Sequence, residues 1–245
     1  MTASTIVEIC VDGVASAVAA ERGGADRVEL CVALGAGGLT PSAGLIATTR
    51  RAISIGLHVL IRPRAGDFVL ADDECAVCLL DIRCAVELGA DGVVVGALDT
   101  SGSIDETRVR ALIDAARPLS VTFHRAFDVV PEPLAALETL AALGVDRVLT
   151  SGGAASAWEG RERLRELVVA ARGRVAIIAG AGVKASNVGA LIRLAGVSEI
   201  HAGGGVASVA PAAAPLPALW RSAFGTQPDV VDAARVAALV QATRA

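Results

Sequence analysis

Two short apolar runs near the N-terminus each contain a glutamate and, two residues later, a cysteine. The first run carries Glu8 and Cys10, and the second carries Glu29 and Cys31. Since side chains alternate along a β-strand, each glutamate would lie on the same face as the cysteine of its run. Thiols at equivalent ends of adjacent strands, about 4.8 Å apart, could bind a soft ion such as Cu(I), for which sulfur ligands are selective. Cys10 and Cys31 are therefore candidate metal ligands.

A pair of arginines follows the third apolar run. Arg62 and Arg64 flank Pro63, which has no N–H group and should end the strand there. Guanidinium groups bind carboxylates and phosphates through paired hydrogen bonds, so both arginines are candidate ligands for a small anion. The alternative is that they are solvated or paired with structural acids.

The two glutamates need partners, because a charged group in an apolar core strand is costly unless it is paired. We expect Glu8 and Glu29 to point into the fold and to be neutralised by Arg62 or another cation. The alternative is an ion network with a purely structural role. Histidines follow two later strands, and the resulting candidates are Glu8, Glu29 and His124 for catalysis and Arg62, Arg64, His124 and His201 for ligand binding.

Glycine-rich turns follow the last two predicted strands. Residues 180–185 match the pattern GxGxxA, but they lie late in a long chain, and Glu199 starts its strand instead of ending it. Both features argue against a dinucleotide-binding fold. In a barrel, however, the turns after strands 7 and 8 often bind phosphate through backbone N–H groups. Gly182 and Gly203 are therefore further candidate ligand-binding residues.

The elements that would position these residues are eight strand–helix pairs. A Gly-x-Asp type of turn precedes every second strand, which indicates four βαβα units. The pattern predicts an α/β protein with a (β/α)8 TIM barrel and favours it over an open doubly wound sheet. We expect a single domain over residues 1–245, including an Ala/Pro-rich segment at 207–217 and a last helix at about 229–243. The repeated turns are residues 24–28, 89–93 and 144–148 and, as a looser copy, 196–200.

Composition excludes several classes of function. The 245-residue chain has a net charge of −4 and no cluster of Lys and Arg, so we expect neither nucleic acid nor an anionic membrane as a partner. No apolar run reaches the length of about 18 residues that suits a membrane span. The N-terminus lacks signal-peptide features and the five cysteines are an odd number, which favours a reducing cytoplasm over a disulfide framework. Cys75, Cys78 and Cys84 are expected in the third helix as small core residues.

Six segments of the sequence form a recognisable set: residues 7–10, 27–31, 37–42, 61–68, 122–128 and 147–153. Together they resemble the CutC family of copper-homeostasis proteins. The resemblance implies a cytoplasmic TIM barrel, often oligomeric, that is linked to copper tolerance. It also implies Cu(I) binding through the cysteines at positions 10 and 31. A departure follows the last strand, where the family tends to carry a small polar residue and this chain has Ala202-Gly203-Gly204-Gly205.

Two functions remain open from the sequence. The first is a copper homeostasis protein, expected to be a homo-oligomer, that uses Cys10 and Cys31 to buffer Cu(I) or to hand it on. The second is a TIM-barrel enzyme that acts on a small phosphorylated or carboxylated metabolite. Copper binding does not require a pocket lined by Arg, His and Glu, and an enzyme of this kind does not require adjacent thiols. The sequence is therefore compatible with both hypotheses.

Overall fold

The computed structural model describes residues 5–209 and 229–244. Within these residues, eight parallel strands close into a barrel, in which each strand pairs with the next and β8 pairs with β1. The prediction of a TIM barrel is thereby confirmed. The strands are β1 (Ile6–Val11), β2 (Arg27–Leu30), β3 (Gly56–Leu60), β4 (Gly92–Val95), β5 (Ser120–Phe123), β6 (Arg147–Thr150), β7 (Ala176–Ala179) and β8 (Glu199–Ala202).

Helices alternate with the strands along the chain. In the parts of the chain that the structure describes, none of them is both long and apolar enough to cross a bilayer. The third helix carries Cys75, Cys78 and Cys84, as predicted, but only Cys78 belongs to the core, whereas Cys75 and Cys84 are partly exposed. The helices are α1 (Val14–Arg22), α2 (Ala43–Ala52), α3 (Asp72–Glu87), α4 (Glu106–Ala116), α5 (Pro133–Leu143), α6 (Arg161–Ala171), α7 (Val188–Ala195) and α8 (Ala233–Thr243).

The chain after β8 departs from the predicted pattern. Ala207–Val209 (β9) pairs with Asp229–Val231 (β10) in a two-stranded antiparallel sheet. The carboxylate of Asp232 then accepts hydrogen bonds from the backbone N–H groups of Ala234 and Arg235. Asp232 thereby caps the last helix, which begins after this sheet instead of at residue 229. Residues 210–217 of the Ala/Pro-rich segment lie outside the described residues.

The repeated turns fix the strands at the N-terminal end of the barrel. In each of the three closest copies, the aspartate accepts a hydrogen bond from a backbone N–H of the preceding odd-numbered strand. The carboxylate therefore ties that strand to the even-numbered strand that follows the turn, at the barrel end where such residues serve stability. The bonds join Asp26 to Val7 at 2.7 Å, Asp91 to Leu57 at 2.8 Å and Asp146 to Val121 at 2.8 Å.

The apolar core lies between the barrel and its helices, and β1 shows how the sequence divides the two faces. Val7, Ile9 and Val11 belong to this core and are almost completely buried. Glu8 and Cys10 alternate with them and face the barrel interior instead. Alternation of side chains thus directs the chemically active residues of β1 into the barrel.

Candidate functional site

The barrel interior holds a buried ion network centred on Glu8. The carboxylate of Glu8 accepts a hydrogen bond from Nε of Arg27 on β2 and lies 2.7 Å from Nδ1 of His201 on β8. Nδ1 of His58 on β3 is 3.9 Å from the same carboxylate. Since β3 is not a neighbour of β1, this contact crosses the interior. The prediction that Glu8 points into the barrel is confirmed.

Arg27 connects Glu8 to a second buried acid. The guanidinium of Arg27 also donates to the carboxylate of Glu199 on β8. Glu199 in turn accepts a hydrogen bond from Nε of Arg147 on β6 at 3.1 Å. Two cations therefore alternate with two acids inside the barrel. Buried charges are tolerated in this form, because each has a partner of opposite charge.

Glu29 is the least satisfied acid of the network. Its Oε2 atom lies 3.4 Å from Nδ1 of His201, but this nitrogen forms its hydrogen bond with Glu8. Among the described residues, no group donates a hydrogen bond to Oε2 of Glu29, although the side chain is only 7% exposed. Glu29 faces the interior as predicted, and its nearest cation is His201.

Burial and these contacts shift the pKa values of the two glutamates in opposite directions. Burial opposes the ionisation of Glu8, but Arg27 and His201 outweigh it and hold the pKa of Glu8 below its ordinary value. Burial raises the pKa of Glu29 to about 7. Burial also disfavours the charged imidazole of His201, but Glu29 and Glu8 outweigh that effect and raise its pKa. Glu29 can therefore gain or lose a proton near neutral pH, beside an imidazole whose pKa is raised.

Cys10 and Cys31 lie side by side inside the barrel. Their Sγ atoms are 3.6 Å apart, and both thiols belong to a small buried cluster with Leu60 and Val94. The strand register places Cys10 opposite Glu29, and Cys31 lies two residues further on, directly after β2. The two cysteines are therefore offset and do not occupy the equivalent positions that the sequence suggests. The side chains nevertheless meet, as the tilt of barrel strands permits. The hydrogen bond with Cys31 and burial together raise the pKa of the Cys10 thiol well above its ordinary value.

A cavity of about 380 Å³ opens beside Cys10. Its lining includes Asp12 after β1, Gly203 after β8 and Val230 of β10. Cys10 is 9% exposed, whereas Cys31 is 1% exposed. Cys10 is therefore the thiol through which the pair reaches the cavity.

Arg62 has a different partner from the one predicted. Its guanidinium donates hydrogen bonds to two backbone carbonyls of the loop after β2 and to one of the loop after β3, at 2.8–3.0 Å. It also lies over the ring of Phe68, 5.1 Å from the ring centre. The glutamates contact the other cations that the expectation allowed, Arg27 and His201, and not Arg62, whose terminal nitrogens donate to loop carbonyls. In the observed geometry, the hydrogen bonds of Arg62 connect the loop after β2 to the loop after β3.

Arg64 is likewise engaged with its own surroundings. Its guanidinium forms ion pairs with Asp67, 3.0 Å away in the same loop, and with Glu74 of α3. The side chain is 37% exposed. The hydrogen bonds described for Arg64 thus hold its loop to α3, and a role in binding a ligand stays a prediction.

His124 is buried at the end of β5, apart from the ion network. Its Nδ1 accepts a hydrogen bond from the backbone N–H of Ala126 at 3.2 Å, and its ring lies 5.1 Å from that of Phe68. Burial, with a smaller contribution from Arg62, lowers the pKa of His124 to about 4. The imidazole is therefore neutral at pH 7, and its proposed catalytic role stays a prediction.

The two candidate glycines have different surroundings. Gly203 lines the cavity beside Cys10. Gly182 has a φ of +68°, and its carbonyl accepts a hydrogen bond from the side-chain amide of Asn187 at 2.9 Å. Of the two, the structure thus brings only Gly203 to the lining of the cavity at the thiol pair, within the described residues. Phosphate binding by these turns stays a prediction.

Sequence reasoning missed Arg27, Arg147 and Glu199 as members of the interior network. A signal was present, because Arg27 shares the parity of Glu29 and Glu199 shares the parity of His201. These residues begin their strands directly after the repeated turns, so the sequence pattern groups them with the turns.

Comparison with known proteins identifies the family. A sequence profile of the CutC family matches residues 5–206. A CutC family protein from Xylella fastidiosa (strain 9a5c) is 52% identical over 202 residues, which cover 82% of this chain and 76% of the relative. The human protein named copper homeostasis protein cutC homolog is 48% identical over 196 residues, which cover 80% of this chain and 72% of that protein. The crystal structure of CutC from Streptococcus agalactiae matches with a TM-score of 0.78 and 34% identity, covering 81% of this chain and 98% of that one. The chain therefore belongs to the CutC family.

Proposed function

We propose that this protein contributes to copper homeostasis by binding one Cu(I) ion between Cys10 and Cys31. The observation that carries the proposal is the 3.6 Å separation of two buried Sγ atoms, one on β1 and one directly after the adjacent strand β2. Thiolates are the ligands that Cu(I) prefers. The name of the human relative, which assigns copper homeostasis to that protein, gives independent support.

The spacing of the thiols suits an ion shared between them. With metal–sulfur bonds of about 2.3 Å, the length known for zinc thiolates, two sulfurs on opposite sides of an ion lie about 4.6 Å apart. The Sγ atoms would separate by about 1 Å to reach that arrangement. Rotation of the Cys10 side chain toward the adjacent cavity provides the necessary movement. Leu60 and Val94 limit the access of water to the sulfurs, which protects a site of this kind.

The enzyme hypothesis is not favoured by the geometry. An anion pocket requires free and accessible guanidinium N–H groups. The terminal nitrogens of Arg62 donate to loop carbonyls, and only its buried Nε has no partner among the described residues, while Arg64 is paired with carboxylates. The thiol pair, in contrast, lies next to a cavity. Among the described residues, the hydrogen bond between the two thiols is the only side-chain hydrogen bond that either of them forms. We accordingly propose that the protein functions in copper homeostasis and not as an enzyme. We further propose that it forms one domain over residues 1–245 and acts in the cytoplasm as a homo-oligomer.

The experiment that tests the proposal asks whether the two thiols are sufficient. Cys75→Ala, Cys78→Ala and Cys84→Ala together leave Cys10 and Cys31 as the remaining cysteines. Under anaerobic reducing conditions, this triple variant should bind one Cu(I) per chain with the wild-type affinity, as measured by competition with a chromophoric chelator. X-ray absorption should show sulfur as the neighbour of copper. Loss of binding in the triple variant would contradict the assignment.

Copper binding should also tighten with increasing pH. The raised pKa of Cys10 means that its thiol is protonated near neutral pH, and Cu(I) must displace that proton. Rising pH removes the competing proton, so the affinity should increase about tenfold per pH unit for each proton displaced. Chelator competition at several values between about pH 6 and pH 8, corrected for the titration of the chelator, measures the slope. An affinity that does not change with pH would show that Cu(I) does not replace a thiol proton.

A further inference from the structure

We propose that Glu8, Glu29 and His201 form a second metal site, deeper in the barrel than the thiol pair. The site would take a divalent cation of the first transition series, such as Mn²⁺ or Zn²⁺. Carboxylate oxygens suit Mn²⁺ and an imidazole nitrogen suits Zn²⁺, whereas neither donor has the softness that selects Cu(I). This site is independent of the proposed copper function.

The distances between the donor atoms support the site. Each of the three residues offers one donor atom, and these atoms lie within 4.8 Å of one another. Nδ1 of His201 is 2.7 Å from Oε1 of Glu8 and 3.4 Å from Oε2 of Glu29. Donors bound to one ion at about 2.1 Å, with angles of about 90–109°, lie about 3.0–3.4 Å apart. The two distances to Nδ1 therefore match those of a shared ion to within a few tenths of an ångström, and the two carboxylates, whose donor atoms lie within 4.8 Å, would close on the ion as it replaces the hydrogen bond between Nδ1 and Glu8.

The unsatisfied oxygen of Glu29 is a second, independent observation. More than nine-tenths of this side chain is buried, and within the described ranges its Oε2 atom accepts no hydrogen bond. Buried polar atoms of native proteins almost always have a partner. A cation between Glu29 and His201 would supply the missing one.

The surroundings hold the donor atoms in place. Arg27 donates to Oε2 of Glu8 and leaves Oε1 for the ion. Arg27 is itself held by Glu199, which is held by Arg147. Hydrogen-bonded partners of this kind orient the ligands of metal sites. The side chain of His201 is 13% exposed, so the cluster reaches solvent through this residue.

Cobalt(II) is the probe that tests this site, because its spectrum reports the type of ligand. The experiment uses the full chain with Cys10→Ser and Cys31→Ser, so its outcome does not depend on copper binding. Titration should give one bound Co²⁺ per chain, with weak visible bands and no thiolate-to-cobalt charge-transfer band. Adding Glu29→Gln should lower the Co²⁺ affinity at least about a hundredfold, since a ligand is lost. Glu138→Gln, which changes an exposed glutamate on α5, serves as the matched control and should leave the affinity unchanged.

Three results would overturn the second site. They are no Co²⁺ binding to the double cysteine variant, a charge-transfer band from one of the helix cysteines, and equal affinities with and without Glu29→Gln. If Glu29→Gln prevents folding, as judged by circular dichroism, His201→Gln on the same background replaces it. Retention of Co²⁺ binding in that variant would likewise contradict the assignment.

Discussion

Replacement of either Cys10 or Cys31 by serine should lower the affinity for Cu(I) by at least about a thousandfold, equivalent to about 4 kcal/mol of binding free energy. The reason is that Cu(I) binds thiolates strongly and hydroxyl oxygens poorly, and the remaining thiol would be left as a single soft ligand. Serine is close to cysteine in size, so the buried cluster with Leu60 and Val94 should survive. Competition with a chromophoric chelator measures the affinity.

Cys78→Ser is the matched control for this experiment. Cys78 on α3 and Cys31 are each 1% exposed, so the two substitutions introduce a hydroxyl into equally buried places. Of these two substitutions, only Cys31→Ser should lower the affinity for Cu(I). A similar loss of affinity in Cys78→Ser would indicate a general effect on the fold, and undiminished binding in Cys10→Ser would remove Cys10 from the site.

Arg27→Met should lower the free energy of unfolding by about 3–5 kcal/mol. Methionine fills much of the same volume but leaves Glu8 and Glu199 without the cation that lies between them. An unpaired charge in a buried place is costly because it loses both water and its partner. Urea denaturation of the metal-free protein at pH 7, followed by circular dichroism, measures the change.

The comparison for Arg27→Met is Arg174→Met. Arg174 also forms an ion pair with a glutamate, but both side chains are about half exposed, so water replaces the lost partner. Its effect on unfolding should be far smaller than that of Arg27→Met. Equal effects of the two substitutions would show that the interior network does not depend on Arg27.

The sequence predicted the barrel because the relevant signals are local. A repeated turn before every second strand and apolar runs of strand length fix the order of the elements. The parity of Glu8 and Cys10 then predicted their direction correctly, since alternation along a strand requires no knowledge of the partners. The same reasoning applies to Glu29.

The partners of these side chains were harder to predict, because they depend on distant parts of the chain. Glu8 and His201 are separated by 193 residues and meet only when β8 closes on β1. Arg62 is satisfied by carbonyls whose directions follow from loop conformation, for which the sequence carries no periodic signal. Glu8 is therefore paired with Arg27 and His201. The prediction of a cationic partner was correct, but of the cations it allowed, Arg62 is not the one used.

The three aspartates at the N-terminal end of the barrel leave the opposite end free to evolve. A shift of one residue between neighbouring strands would turn Glu8 and Cys10 outward, and the bonds from Asp26, Asp91 and Asp146 oppose such a shift. None of these bonds involves a metal-ligand candidate. A descendant of this protein could therefore lose both thiols and keep the barrel, or acquire other ligands on the same scaffold. Inheritance of the fold and inheritance of the metal chemistry are separable in such a lineage, and a relative with this barrel has to be judged by its own interior residues.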